Sequence, residues 1–196
     1  MGTQVKLDIA SPILTPAINN WQMQHYEAAV NVRLAKRWYP TAEIGYAGGK
    51  YSQDSISYTG HGAFLRIGCD LNPLKRHPEL PHALLVGLRF GTAVQGYTQE
   101  TALSGSSSGI VTDSDRNMYR SGVHADCWGE IVAGCQVEIA KVHNTAFYMG
   151  WMGRFKFLFT RKTMDKNYHP YAIYIPGFGH RDNIGWGVNY FLGWKF

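Results

Sequence analysis

The last thirteen residues of the chain alternate strictly between apolar side chains and small or polar ones. The apolar members share one face of an extended strand, and they are Ile184, Trp186, Val188, Tyr190, Leu192, Trp194 and Phe196. The opposite face includes Gly185, Asn189 and Lys195. Successive side chains of a strand point to opposite faces. One face of this strand is therefore expected to lie against an apolar phase and the other against a polar one.

Seven further alternating runs precede this one, so that the chain carries eight predicted strands. They fall at residues 4–10, 24–35, 41–48, 60–69, 84–91, 128–139, 147–159 and 184–196. No internal repeat, linker or second domain is visible, and an even number of alternating strands in 196 residues is typical of a small barrel. We predict one all-β domain, residues 1–196, folded as an eight-stranded antiparallel up-and-down β-barrel.

The connections between these strands differ in length on the two sides of the barrel. After odd-numbered strands they are mostly longer, at 11–22, 49–55, 98–119 and 160–181, and after even-numbered strands they are 38–40, 70–82 and 141–145. The segment Trp38-Tyr39-Pro40 is predicted to be an aromatic turn. Outer-membrane barrels have short periplasmic turns and long extracellular loops. This comparison predicts that both termini are periplasmic.

A soluble lipocalin-like barrel has the same alternation but points its apolar face inward. Three features favour a transmembrane barrel instead. One face is rich in bulky aromatics and the other in Gly and charge, and an eight-stranded interior is only just wide enough for side chains. In addition, Tyr190, Leu192, Trp194 and Phe196 resemble the C-terminal signal of outer-membrane barrels. We therefore predict a bacterial outer-membrane location, with lipid, lipopolysaccharide and the insertion machinery as partners.

Composition excludes several other classes of protein. No stretch approaches the roughly 18 to 20 consecutive apolar residues of a transmembrane helix, and the mean hydropathy of −0.24 does not reveal strands that are apolar on alternate residues only. The net charge of +5 is concentrated at predicted loops, without the aromatic platform of a nucleic-acid binder. The first residues show neither a basic nor an apolar signal-peptide region, so the numbering is expected to begin at the mature protein.

Charged residues on the polar face are predicted to point into the lumen. They are Glu27, Arg33, Glu43, Arg66, Arg89, Glu130, Glu138, Arg154 and Lys156. An unpaired buried ion costs several kcal/mol, so acids and bases on neighbouring strands are expected to form salt bridges, particularly between Arg and carboxylates. A structural plug is favoured over the alternatives of an ion path or an active site.

The sequence gives little support to catalysis or metal binding. His61 faces outward by parity, His124 lies near a strand end, and His169 and His180 lie in the last loop. No spacing links any of them to a Ser nucleophile. Metal-ligand patterns of the CxxC, HxH or HExxH type are missing from the sequence, and the three cysteines are interpreted as small apolar residues. No catalytic residue, metal or cofactor is predicted.

The last loop is aromatic, apolar and rich in Pro, which is unusual for a segment exposed to solvent. Two interpretations remain open, a lid over the barrel mouth and a docking site for another protein. The residues concerned are Tyr168, Pro170, Tyr171, Ile173, Tyr174, Ile175, Pro176 and Phe178.

This loop and three other motifs carry a resemblance to a known group. The motifs are Tyr-x-Pro-Tyr and Ile-Pro-Gly-x-Gly within 168–179, Trp-Gly-x-Asn-Tyr at 186–190, Trp-Gly-Glu-Ile-Val-Ala-Gly at 128–134 and Gly-Trp-Met-Gly-Arg at 150–154. In these segments the chain resembles small uncharacterised eight-stranded outer-membrane β-barrels of the Bacteroidota. The resemblance implies architecture and location, but no site residue.

The sequence therefore predicts an outer-membrane barrel with a plugged polar lumen and a structural or interaction role. It is expected to be a monomer or an accessory subunit of a larger outer-membrane complex, which makes another outer-membrane protein a candidate partner. One alternative is a lipid-modifying enzyme of the acyltransferase or deacylase type, which requires a Ser/His/acid cluster at the rim. The other is a narrow solute channel, which requires a continuous water path past Arg66, Arg89 and Arg154.

Overall fold

A computed structural model describes residues 2–9, 21–34, 37–53, 56–74, 83–101, 118–143, 145–160 and 174–195. Eight strands of this part of the chain form the wall of a barrel, and two short strands form a separate hairpin. In chain order they are β1 Gly2–Asp8, β2 Trp21–Arg33, β3 Trp38–Gln53, β4 Ile56–Leu71, β5 Ala83–Thr101, β6 Met118–Val142, β7 Thr145–Leu158, β8 Tyr174–Ile175, β9 Gly179–His180 and β10 Ile184–Lys195. Among the described residues there is no helix with the length and hydrophobicity to cross a bilayer.

Each wall strand pairs antiparallel with its neighbours, and β1 closes the barrel against β10. The closing register places Gln4 opposite Lys195 and Leu7 opposite Leu192. Closure pairs the backbone groups that an open sheet leaves at its edges. The prediction of an all-β, closed, eight-stranded antiparallel barrel is confirmed.

Several strands extend beyond their predicted ends because pairing continues into segments with a weaker pattern. Trp38-Tyr39-Pro40, predicted as a turn, is the first part of β3, with Pro40 paired to Cys69. That prediction was wrong because the ring of Tyr39 is buried in an apolar cluster inside the barrel. β6 begins ten residues earlier than predicted, at Met118. The connection between β3 and β4 shrinks to residues 54–55.

Alternation along the strands sorts side chains between the two faces of the wall. Large apolar side chains are exposed on the outside, with Leu88 at 66% and Trp186 at 81% exposure. Inside, two apolar clusters lie on either side of a charged layer. The cluster towards Gly2 and Lys195 consists of Tyr39, Ala83, Leu85, Val132, Met152 and Phe191. The cluster on the other side consists of Phe64, Ala93, Trp128, Ile175 and Phe178.

Glycines make the narrow interior wide enough for its largest rings. A Cβ atom at Gly91 would lie 2.3 Å from the indole of Trp128, and one at Gly45 would lie 2.2 Å from the ring of Phe64. Both distances are far below van der Waals contact, so a larger residue at either position would push the facing ring away. The Gly-rich face therefore lines the lumen because it provides the space that the interior side chains occupy.

Candidate functional site

The middle of the lumen holds a layer of paired charges that crosses the barrel. We call it the charged layer and define it as Glu27, Glu43, Arg66, Asp70, Arg89, Glu130 and Arg154. Its members come from six wall strands, β2 to β7, and the register sets Glu43 opposite Arg66 and Arg89 opposite Glu130. All seven side chains are buried.

Arg154 has three acidic partners in this layer. Its Nη2 atom lies 2.9 Å from Glu27 Oε1, and its Nη1 atom lies 2.9 Å from both Glu43 Oε2 and Glu130 Oε2. Its Nε atom donates to Asn189 Oδ1 at 2.7 Å. The guanidinium thus contacts three carboxylates and one amide, which come from four different strands.

Two further arginines complete the layer. Arg66 Nη1 lies 2.9 Å from Glu27 Oε2 and 3.0 Å from Glu43 Oε2, and its Nε atom lies 3.0 Å from Glu130 Oε1. Arg89 contacts Glu43 through Nε at 3.1 Å and Asp70 Oδ1 through Nη2 at 2.7 Å. Because every carboxylate faces at least one arginine, the desolvation cost of burying these ions is offset by pairing and hydrogen bonding.

The β8–β9 hairpin, which we define as the plug with residues Tyr174–His180, lies inside the barrel next to this layer. Arg66 Nη2 and Lys156 Nζ each donate to the Gly177 carbonyl oxygen at 2.7 Å, and Lys156 also donates to the Phe178 carbonyl oxygen at 3.0 Å. The ring of Phe178 packs edge-on against Trp128, with centroids 5.9 Å apart. Burial raises the pKa of the Tyr174 phenol, which favours its neutral form.

The plug turns at Gly177, whose backbone φ is +75°. A Cβ atom at this position would lie 2.6 Å from the ring of Phe64. Both the left-handed backbone and the close ring require glycine here. The absence of a side chain at this turn therefore leaves the space that the ring of Phe64 occupies.

Beyond the plug, Arg181 is held by an acid on the wall. Its Nη2 atom donates to both carboxylate oxygens of Asp126 at 2.7 and 2.6 Å, and Gln95 donates to the same carboxylate at 3.2 Å. Asp126 is fully buried and Arg181 is half-buried. This ion pair fixes the chain where it leaves the plug and enters β10.

We expect Asp126→Asn to loosen this connection. The amide cannot replace a doubly accepting carboxylate, so the loss should be about 1 kcal/mol of local stability. Hydrogen exchange at the amides of residues 179–181 should accelerate by about fivefold. The exposed Asp182→Asn is the matched control and should leave exchange unchanged. Equal exchange rates in the two variants would contradict the role given to Asp126.

The structure brings most of the predicted lumen charges together. Six of them lie in the charged layer and Lys156 binds the plug. Arg33 and Glu138 lie apart, near the barrel end that carries Gly2 and Lys195, where the Tyr148 hydroxyl donates to Glu138 at 3.2 Å. These two residues face inward but take no part in the central ion pairs.

Three buried charges were missed by the sequence analysis. Asp70 was assigned to a loop, but β4 continues to Leu71 and keeps Asp70 on the inner face. Asp126 precedes the predicted start of the sixth strand, which begins much earlier. Lys6 has the correct parity in β1 and is 5% exposed. Correct strand ends would have let parity identify Asp70 and Asp126, whereas Lys6 already lay on the polar face of the predicted first strand and could have been included by parity alone.

Some of the residues predicted for the last loop lie in the plug, and the others lie outside the described part of the chain. Tyr174, Ile175, Pro176 and Phe178 are buried inside the barrel, in the position of a plug and not of an exposed docking patch. The other members lie outside the described residues, and they are Tyr168, Pro170, Tyr171 and Ile173. Phe196 of the predicted insertion signal also lies outside them, whereas Tyr190, Leu192 and Trp194 have outward parity on β10.

One group of side chains has the composition of a metal site. Ligand atoms of Asp8, His25 and Glu27 lie within 4.8 Å of one another. However, each oxygen of Glu27 lies 2.9 Å from an arginine nitrogen, and Asp8 accepts a hydrogen bond from Asn189. A divalent cation would have to compete with two guanidinium groups for the same carboxylate. The arrangement therefore fits a polar network better than a metal centre.

The histidines considered for catalysis are dispersed. His61 is exposed on the outer face, His124 stacks on Tyr97 with centroids 5.3 Å apart, and His180 is exposed at the end of the plug. His169 lies outside the described residues. The described His positions are therefore spread over the outer wall, the inner wall and the plug, and do not form one cluster.

Comparison with known proteins gives a family and several structural likenesses, of which two are described. Residues 1–195 match the family described as Domain of unknown function (DUF6048). No curated protein matches the sequence. The N-terminal β-barrel domain of Pseudomonas aeruginosa OprF is similar at 12% identity and a TM-score of 0.29, covering 100% of this chain and 97% of that one. Acinetobacter baumannii CarO is similar at 9% identity and a TM-score of 0.37, covering 100% and 96%.

Proposed function

The chain belongs to the family described as Domain of unknown function (DUF6048), and from its architecture we propose that it is a bacterial outer-membrane β-barrel with a closed lumen and a structural or interaction role. One observation carries this proposal. The exposed outer face is apolar and the buried interior is charged, with Trp186 81% exposed and Arg66 1% exposed. This distribution of apolar and charged side chains is the inverse of the one found in a water-soluble protein, and it suits a lipid environment.

The closed wall supports the same location. A bilayer core provides no water for unpaired backbone groups, so only helices and closed barrels can span it. At one end of the described topology β1–β2, β5–β6 and β7–β10 are joined by long segments and β3–β4 by two residues. At the other end β2–β3 and β6–β7 are joined by four and two residues, and β4–β5 by eleven. By analogy with other barrels we place the short turns and both termini in the periplasm.

The closed lumen supports a structural role over transport. The charged layer crosses the interior, and the plug lies against it. An eight-stranded barrel leaves little space beyond its own side chains. The outer wall and the loops remain as interaction surfaces, and we propose that through them the protein serves as an accessory subunit of a larger outer-membrane complex. Lipid, lipopolysaccharide and the insertion machinery are its other proposed partners.

The test of this proposal is gentle detergent extraction of the native protein from its own outer membrane. The extract is analysed by native mass and by identification of co-migrating molecules. A stoichiometric protein partner would support the accessory-subunit role. A lone lipid-loaded monomer would argue for the lipid-modifying enzyme or the channel instead. Recovery in the soluble fraction without detergent would contradict the membrane location itself.

We expect the purified barrel to be electrically silent in a planar lipid bilayer. The ion pairs and the plug occupy the middle of the described interior, so no discrete current steps should appear above the leak. An unrelated porin reconstituted in parallel provides the positive control. Steady single-channel currents from the wild-type barrel would contradict the closed lumen and favour the channel alternative.

A further inference from the structure

The excess positive charge of the protein lies at one end of the barrel. In the interior, the charged layer together with Lys6, Asp8 and Lys156 holds five bases and five acids, so its charges balance. The strands and connections at the end with the β3–β4 turn hold seven bases and seven acids in the sequence. The net charge of +5 therefore belongs to the opposite end, where β2–β3, β4–β5 and β6–β7 are joined.

Four bases at this end lie in the described structure, and we define them as the basic rim. They are Arg33, Arg37, Lys141 and Lys195. Arg37 and Lys141 are exposed, and Arg33 and Lys195 are half-buried. Lys141 and Lys195 are both opposite Ala146 in the register, on the two strands that flank β7. The usual strand spacing places their backbones roughly 10 Å apart.

Acids are scarce beside the basic rim. Glu138 is the acid that the described part of the chain places there, and its charge acts on Lys195 together with those of Arg33 and Lys141. By sequence, the connections at this end add Lys36, Lys75 and Arg76 against Glu79. One acid for four described bases leaves most of the positive charge of the rim available to an external partner.

The basic rim lies where the wall meets the membrane surface. Leu34, Trp38 and Val142 each follow a rim residue in the chain, have outward parity and are 61%, 54% and 57% exposed. The β2–β3 and β6–β7 connections have only four and two residues. These cations therefore cannot be far from the bilayer surface compared with the screening length of about 8 to 10 Å. Long basic side chains at this level reach the headgroup region while their stems contact apolar surface.

We propose that the basic rim binds the phosphate groups of anionic phospholipids in the leaflet at this end of the barrel. The proposal rests on the membrane location given under the proposed function. Guanidinium and ammonium groups donate to phosphate oxygens, and each Lys or Arg near an anionic surface favours it by about fivefold. An acidic protein is the competing partner, but rim residues adjacent in the chain to lipid-facing side chains favour a lipid surface.

The test compares two lipids at a label placed on the wall beside the rim. A fluorophore is attached at Leu34→Cys, in a background where the three native cysteines are replaced by Ala, and the barrel is refolded in phosphatidylcholine vesicles that contain some phosphatidylglycerol. A nitroxide-labelled quencher lipid is added with either headgroup. Quenching should report about fivefold enrichment of phosphatidylglycerol. The enrichment should fall towards one in about 1 M salt, where the screening length is about 3 Å.

Variants of the basic rim make this expectation specific. Replacing all four rim residues by Gln should reduce the enrichment to about one. The double variant of the exposed members, Arg37→Gln with Lys141→Gln, should lose part of it and provides the test if the fourfold variant does not fold. Lys50→Gln is the matched control, because it removes an exposed cation at the other end of the barrel and should leave the enrichment unchanged.

A second label at Trp186→Cys, on the half of the wall away from the rim, should show no preference between the two headgroups. Equal quenching by both lipids at Leu34→Cys, or an enrichment that survives the loss of all four rim cations, would overturn the proposal and leave an acidic protein as the partner of the rim. Quenching by neither lipid at both labels would instead contradict the membrane location itself, so the two failures are distinguishable.

Discussion

Replacing Arg154 by Met should lower the free energy of unfolding by about 3 to 5 kcal/mol, the cost of removing one partner from a buried ion pair. The guanidinium contacts Glu27, Glu43 and Glu130. In the variant these three buried carboxylates would lose this partner and could pair only with the remaining arginines of the charged layer. Urea unfolding of the refolded barrel in lipid vesicles, followed by tryptophan fluorescence, measures the loss.

Two companion variants make this expectation specific. Arg33→Met removes an inward-facing arginine outside the charged layer and should cost less than about 1 kcal/mol. Adding Glu27→Gln to Arg154→Met removes one of the stranded carboxylates and should recover part of the stability, because the two positions share an interaction. If Arg154→Met and Arg33→Met were equally mild, the charged layer would not stabilise the barrel as argued.

Replacing Gly177 by Val should expel the plug from the lumen. A β-branched residue at φ +75° is strained by about 1 to 3 kcal/mol, and its Cβ would lie 2.6 Å from the ring of Phe64. The readout is maleimide labelling of Ile175→Cys, in a background where the three native cysteines are replaced by Ala. Ile175 is fully buried, so labelling should be slow without the Val substitution and at least about tenfold faster with it.

The variant Gly179→Val is a control that introduces backbone strain without a clash against the barrel wall. Gly179 has a φ of +115°, but a Cβ atom there would meet nothing within 4 Å. This control should therefore perturb labelling less than Gly177→Val does. Equal acceleration in both variants would mean that the fit against Phe64 does not hold the plug in place.

The distribution of residues between the two faces of the wall could be read from the sequence in most strands. In β7 the outward residues Met149, Trp151 and Phe155 and the inward residues Arg154 and Lys156 follow strict alternation. This works because the side-chain period of a strand is two, and each wall strand separates one polar interior from one apolar exterior. Alternation also predicted the number of wall strands.

The strand ends could not be read in the same way. Asp70 was missed because alternation fades near the end of β4, and Asp126 because the first part of β6 has a weaker pattern, although pairing with the adjacent strand continues in both segments. At Trp38-Tyr39-Pro40 the local sequence favours a turn, yet burial of the Tyr39 ring makes it part of β3. Contacts with neighbouring strands outweighed local preference in these segments.

A barrel with an apolar outside and a charged inside can be predicted from the order of residues along each strand. Which charges meet, and where the last loop lies, could be seen only in the folded protein. Arg154 pairs with acids on three other strands, and the turn at Gly177 fits against Phe64 across the lumen. Such contacts depend on how the strands are staggered around the closed barrel, and residues more than a hundred positions apart become neighbours only after closure.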